Sequence, residues 1–91
     1  MATIAAWLSL EEERLAAALA EAAEKLEGAR GEVVLDFGGV RRIDAAALRA
    51  LEEFAGRAET KGIQVALRGV NVDVYKVLKL VKLTPRFSFE S

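Results

Sequence analysis

The chain has 91 residues and carries 13 Lys and Arg against 14 Asp and Glu, a net charge of −1, with 53% apolar and 30% charged residues. That balance describes a folded protein with a modest core and fits one domain over residues 1–91; it excludes charge-driven disorder and a globally basic nucleic-acid binder. Neither Cys nor His is present, which removes disulfides, thiolate nucleophiles, Ser–His and Cys–His pairs and the commonest metal ligands.

No apolar run approaches the roughly 20 residues that span a bilayer, so membrane insertion is not expected. Glu11, Glu12 and Glu13 interrupt the start where a signal peptide would stay apolar, and a cytoplasmic location is the expectation. The charge is uneven: residues 1–36 hold eight acids and three bases, whereas residues 37–91 hold six acids and ten bases. Such polarity can steer a partner or simply reflect solvated helix faces.

Residues 3–8 read as a short strand, weakened by Ala5 and Ala6. Ser9-Leu10-Glu11-Glu12 fits a capping box, with Ser9 as N-cap. Leu15, Leu19, Ala22 and Leu26 then form the apolar stripe of a first helix, which Gly28 and Gly31 close. Val33-Val34-Leu35-Asp36-Phe37 reads as a buried strand followed by a Gly38-Gly39 turn. After a loop over residues 40–43, Asp44 caps a second helix with Leu48, Leu51, Ala55 and Ala58 on its apolar face and Lys61-Gly62 at its end. Ile63, Val65 and Leu67 alternate in a third strand. Asn71 caps a third helix with Val74, Val77, Leu78 and Val81 inward and Lys76, Lys79 and Lys82 on its other faces; Pro85 is its stop, and residues 86–89 suit a short edge strand. The alternation predicts an α/β fold with parallel neighbours, right-handed crossovers and one thinly covered sheet face, a candidate docking surface.

The series Val33-Val34-Leu35-Asp36-Phe37, Val40, Ile43-Asp44 and Leu48 resembles the STAS family, the bacterial anti-sigma factor antagonists and their relatives. Gly62 before a strand, Gly69-Val70-Asn71, Val77-Leu78 and Leu83 continue the likeness, which covers residues 33–83. It implies a STAS-like mixed sheet of about four strands with three helices. The family's N-terminal β-hairpin is expected to be shortened here, because only eight residues precede Ser9. The family's loop commonly reads Asp-Ser-Ser-Gly-Leu, with the kinase-modified hydroxyl just after the Asp; this chain reads Asp44-Ala45-Ala46-Ala47-Leu48. The phosphosite-equivalent positions, Ala45 and Ala46, cannot accept a phosphate.

The resemblance therefore implies a non-enzymatic docking module for an anti-sigma factor or serine kinase, with Arg41, Arg42, Asp44, Ala45, Ala46, Ala47 and Arg49 in the contact. The alternatives are a structural STAS subunit of a bacterial lipid-transport ABC complex, contacting the ABC ATPase, and a stressosome-type scaffold. The alanines admit three readings: a permanently docking-competent loop, plain helix propensity with binding elsewhere, or engineered replacements of a phosphorylatable parent. Asp44 and Asp36 have sufficient structural roles as a cap and a turn anchor. The three lysines are a weak footprint for lipid or nucleic acid. Trp7 and Tyr75 suit an interface or the core. No nucleic-acid partner, metal or cofactor is expected, whereas a homodimer through an open sheet edge is plausible. No dinucleotide fingerprint or paired-carboxylate motif supports an enzyme.

Overall fold

A computed structural model describes residues 4–10, 12–26 and 31–90. Four strands, β1 (Ile4–Ser9), β2 (Glu32–Asp36), β3 (Gln64–Arg68) and β4 (Ser88–Glu90), lie side by side in chain order. Helices α1 (Leu15–Glu24), α2 (Ala45–Thr60) and α3 (Val72–Leu80) form the three connections. Each of the three strand pairs is parallel. The expected mixed sheet is thus corrected among the described residues: every neighbouring pair is bridged by a helix, and a helical crossover returns the chain in the same direction. The rest of the expectation, about four strands with three helices, holds. Right-handed crossovers between sequential neighbours put all three helices on one face.

Alternation along the strands sorts the two faces. Val33, Leu35, Phe37, Ile63, Val65 and Leu67 meet Leu15, Leu19, Leu51, Phe54, Val74 and Leu78 in one buried cluster. On the other face Val34 and Ala66 are buried in the middle row, and register places them beside Trp7 and Ser88. Glu32 and Gln64 flank that row on one side, Asp36, Arg68 and Glu90 on the other. Among the described side chains this face therefore carries polar rows on both sides of a buried apolar row, rather than the thinly covered apolar surface expected of it. The side chain of Trp7 lies outside the described residues.

The start of α1 departs from the capping-box expectation. Ser9 belongs to β1, where it pairs with Asp36, and the Leu10 amide donates to the Asp36 carbonyl at 3.1 Å. The ladder outcompetes a cap. The chain instead enters α1 through a 3-10 turn at Glu12–Arg14, and Arg14 at the N-cap makes no side-chain capping bond. The predicted stripe of Leu15, Leu19, Ala22 and Leu26 is buried; Gly28 lies outside the described residues.

α2 follows the sequence closely. Leu51, Ala55 and Ala58 are buried as expected and Leu48 is half-buried, while Phe54, fully buried, joins the same face. It ends in a Schellman turn: Gly62 sits at φ 71°, its amide donates to the Glu59 carbonyl at 3.1 Å, and the Ile63 amide reaches Ala58 at 2.8 Å. α3 ends in the same way. Lys82 sits at φ 60°, the Lys82 amide reaches Lys79 at 3.1 Å, and the Leu83 amide reaches Leu78 at 2.9 Å. The helix thus stops before Pro85, which opens a separate turn at Thr84–Arg86. Val81, placed inward by periodicity, is 47% exposed because the helix has already ended at Leu80.

Candidate functional site

In a parallel sheet every strand-to-helix loop emerges at the carboxyl edge, the usual place for binding loops. Residues 37–44 and 69–71 meet there. Asp36 anchors the first loop: its Oδ1 accepts the Gly38 amide at 2.8 Å, a turn-forming role. The Phe37 amide donates to the Arg68 carbonyl at 2.7 Å, tying the loop to the end of β3. Gly69 approaches so closely that a Cβ would stand 3.1 Å from the Gly38 Cα, and its φ of 71° also favours glycine.

The loop then delivers Arg41 and Arg42, both exposed, and half-buried Ile43. Asp44 is the N-cap of α2, with extended backbone and its Oδ1 accepting the Ala47 amide at 2.8 Å. The Leu48 amide closes the first helical turn on the Asp44 carbonyl at 2.9 Å. Ala45, Ala46 and Arg49 are exposed. Ala47 is not: it is 1% exposed and packs in the core, so it offers no contact surface. Of the seven residues singled out from sequence, six thus share one exposed cationic turn and the seventh points inward.

Sequence reasoning missed two contributors to this site. One is Asn71. Its Oδ1 caps α3 by accepting the Val74 amide at 2.8 Å, while its Nδ2 donates to the carbonyls of Val40 and Arg41, each at 3.2 Å. One side chain therefore caps one helix and holds the loop before another. Only its capping half had a local signal. The other is the start of α1: Glu13, Arg14, Leu15, Ala16 and Ala17 line a shallow groove of about 300 Å³ with Asp44.

No group of His, Cys, Asp or Glu among the described residues is arranged to hold a metal. The side chains that show a clear electrostatic perturbation lie at the far end of α2. There the Arg86 guanidinium grips the Glu59 carboxylate at 2.8 and 3.1 Å. That hydrogen bond holds the Glu59 carboxyl below its ordinary value and raises Arg86. Both partners are solvated, so the pair is a surface clasp and not catalytic machinery.

Fold and site together define a parallel α/β domain with an exposed, rigidly capped helix start at the carboxyl edge of its sheet. Residues 6–85 match the family model described as MlaB, STAS domain. The chain belongs to the STAS domain family. Its fold is similar to that of the Thermotoga maritima protein TM1081, a candidate anti-sigma factor antagonist, at 18% identity, with 100% of this chain and 78% of that chain covered and a TM-score of 0.79. A sulfate transporter family protein from Wolinella succinogenes gives a TM-score of 0.78 at 22% identity, covering 98% of this chain and 80% of that one. A chain of the stressosome, a signal integration and transduction hub, gives 0.73 at 21% identity over 98% of this chain and 84% of that one. No curated protein matches the chain by sequence. No helix among the described residues is long and apolar enough to cross a membrane.

Proposed function

We propose that this STAS domain is a non-enzymatic docking module that engages a protein partner through the start of α2 and does so without a phosphorylation toggle. The observation that carries the reading is the run Asp44-Ala45-Ala46: a fully formed, capped helix start with no hydroxyl on its two exposed residues. In the resembling family that turn carries the modified hydroxyl. Phosphate there adds about −1.5 to −2 charges at pH 7, enough to turn away a docked partner. With alanine no such change can be made, and Arg41, Arg42 and Arg49 keep the surface cationic. The partner in this reading is an anti-sigma factor or serine kinase, as for the anti-sigma factor antagonists that the chain resembles.

A second reading is a structural STAS subunit on an ABC ATPase; the matching family model is described as MlaB, STAS domain, and not as an anti-sigma factor antagonist. The two readings differ in the partner. Co-purification with each candidate partner from the source organism separates them. Ala46→Glu then tests the site. A carboxylate in the first turn of a helix is favourable to the fold, so the variant should stay folded while binding weakens at least tenfold. Unchanged binding by Ala46→Glu and by Arg41→Glu would place the contact elsewhere.

A further inference from the structure

The large apolar side chains exposed among the described residues are Val72, Tyr75, Leu80, Val81 and Phe89, and all lie on α3, the turn that ends it, and β4. Val72 is 68% and Leu80 82% exposed, values that no core or capping role explains. Spacing places Val72, Tyr75, Lys76, Lys79 and Leu80 on one helix face, at i, i+3, i+4, i+7 and i+8. The opposite face buries Val74 and Leu78. Tyr75 packs edge-on against Phe89, centroids 5.2 Å apart, so the helix and the edge strand form a continuous surface. Between Lys76, Lys79 and Leu80 lies a shallow apolar notch. Asp73 is the single acid on α3, against Lys76 and Lys79, with Lys82 just beyond.

We infer that this α3–β4 face is a second docking surface, separate from the start of α2, and that its occupant is a protein segment with an apolar anchor flanked by carboxylates. The notch accepts one aliphatic or aromatic side chain. Lys76 and Lys79 line it, where Glu or Asp placed a turn before or after the anchor would reach them. The stripe from Val72 to Leu80 is about 12 Å long, which matches two turns of a partner helix. A membrane surface fits less well. Recognition of anionic lipid typically draws on clusters of 4–8 basic residues, whereas α3 and the turn that ends it have three lysines and also carry Asp73. An apolar notch lined by two lysines suits an apolar side chain with carboxylates near it.

The test uses the full chain as bait for a displayed library of random 16-residue peptides, with the Leu80→Glu and Lys79→Glu variants as counter-baits. Both substitutions are on solvent-exposed side chains, and thermal unfolding checks that the fold is kept. The expected result is a set of peptides sharing an apolar residue flanked by Asp or Glu, each binding Leu80→Glu and Lys79→Glu at least fivefold more weakly than the native chain. Peptides without acids, or peptides indifferent to both variants, would overturn the inference. Sedimentation with phosphatidylglycerol vesicles that Leu80→Glu abolishes would also overturn it, in favour of a lipid surface. Concentration-dependent self-association abolished by the same variant would overturn it in favour of a second copy of this chain.

Discussion

α2 and α3 are built to the same plan and used differently. Each follows a parallel strand, starts on an Asx cap that accepts the amide three residues on at 2.8 Å, and ends in a Schellman turn. α2 runs 16 residues and buries Ala47, Leu51, Phe54, Ala55 and Ala58 against α1 and the sheet. α3 runs nine, buries Val74 and Leu78, and turns Val72 and Tyr75 outward. The caps make both helices start sharply; what distinguishes them is the width of the apolar face. α2 works as a core element that displays only its first turn. α3 is a thin cover over the sheet's edge with a whole face left to offer.

The difference can be broken in order of size. Phe54→Ala removes the largest side chain of α2 from a fully buried site and should cost about 3–5 kcal/mol, read by urea unfolding. Leu80→Ala should stay within about 0.5 kcal/mol in the same assay, since the side chain is exposed. Equal losses would contradict the contrast between the two helices.

The caps come next. Asp44→Ala should cost about 1 kcal/mol. Asn71→Ala should cost more, because it also releases the Val40 and Arg41 carbonyls. Asn71→Asp sharpens the point: it keeps the acceptor for Val74 and discards the two donated bonds, so its loss should fall between native and alanine. If Asn71→Asp is as stable as the native chain, the tie between α3 and the loop carries no energy.

The helix ends give opposite signs. Gly62→Ala forces a Cβ into a positive-φ site and should destabilise by about 1 kcal/mol, whereas Lys82→Gly relieves one and should stabilise by about 0.5–1 kcal/mol. Thermal denaturation of the two variants checks both signs at once.

The smallest effect is the Glu59–Arg86 clasp. The Glu59 carboxyl is lowered on folding, so its contribution is present above the unfolded pKa and lost as pH falls through the folded one. Glu59→Gln should therefore narrow its stability gap to the native chain on acidification below about pH 4.5, the ordinary value for this group. A gap independent of pH would show that the ion pair is not what links them.

The elements legible in the sequence were those with local causes. Asp44 and Asn71 announce their helices because a cap bonds three residues away. The two central strands, β2 and β3, announce themselves through apolar, β-branched-rich runs closed by glycine. The misreadings arose where a distant partner decided the outcome. Ser9 and Glu12 spell a capping box, but the ladder between Ser9 and Asp36 claims the backbone first. Val81 keeps the helical period past the end of α3, and Lys82 carries no glycine signal to mark the stop. At the site, the cap and the missing hydroxyls could be read directly. The inward turn of Ala47 and the 31-residue reach from Asn71 to Val40 could not, since both depend on how the helices sit on the sheet.

The most direct test of the docking account is a calorimetric titration of the co-purified partner with the native chain, Ala46→Glu and Leu80→Glu. Docking through the start of α2 predicts that Ala46→Glu weakens binding at least tenfold with its unfolding temperature preserved, and that Leu80→Glu leaves this particular affinity unchanged. Full affinity in Ala46→Glu would contradict it and remove the start of α2 from the interface.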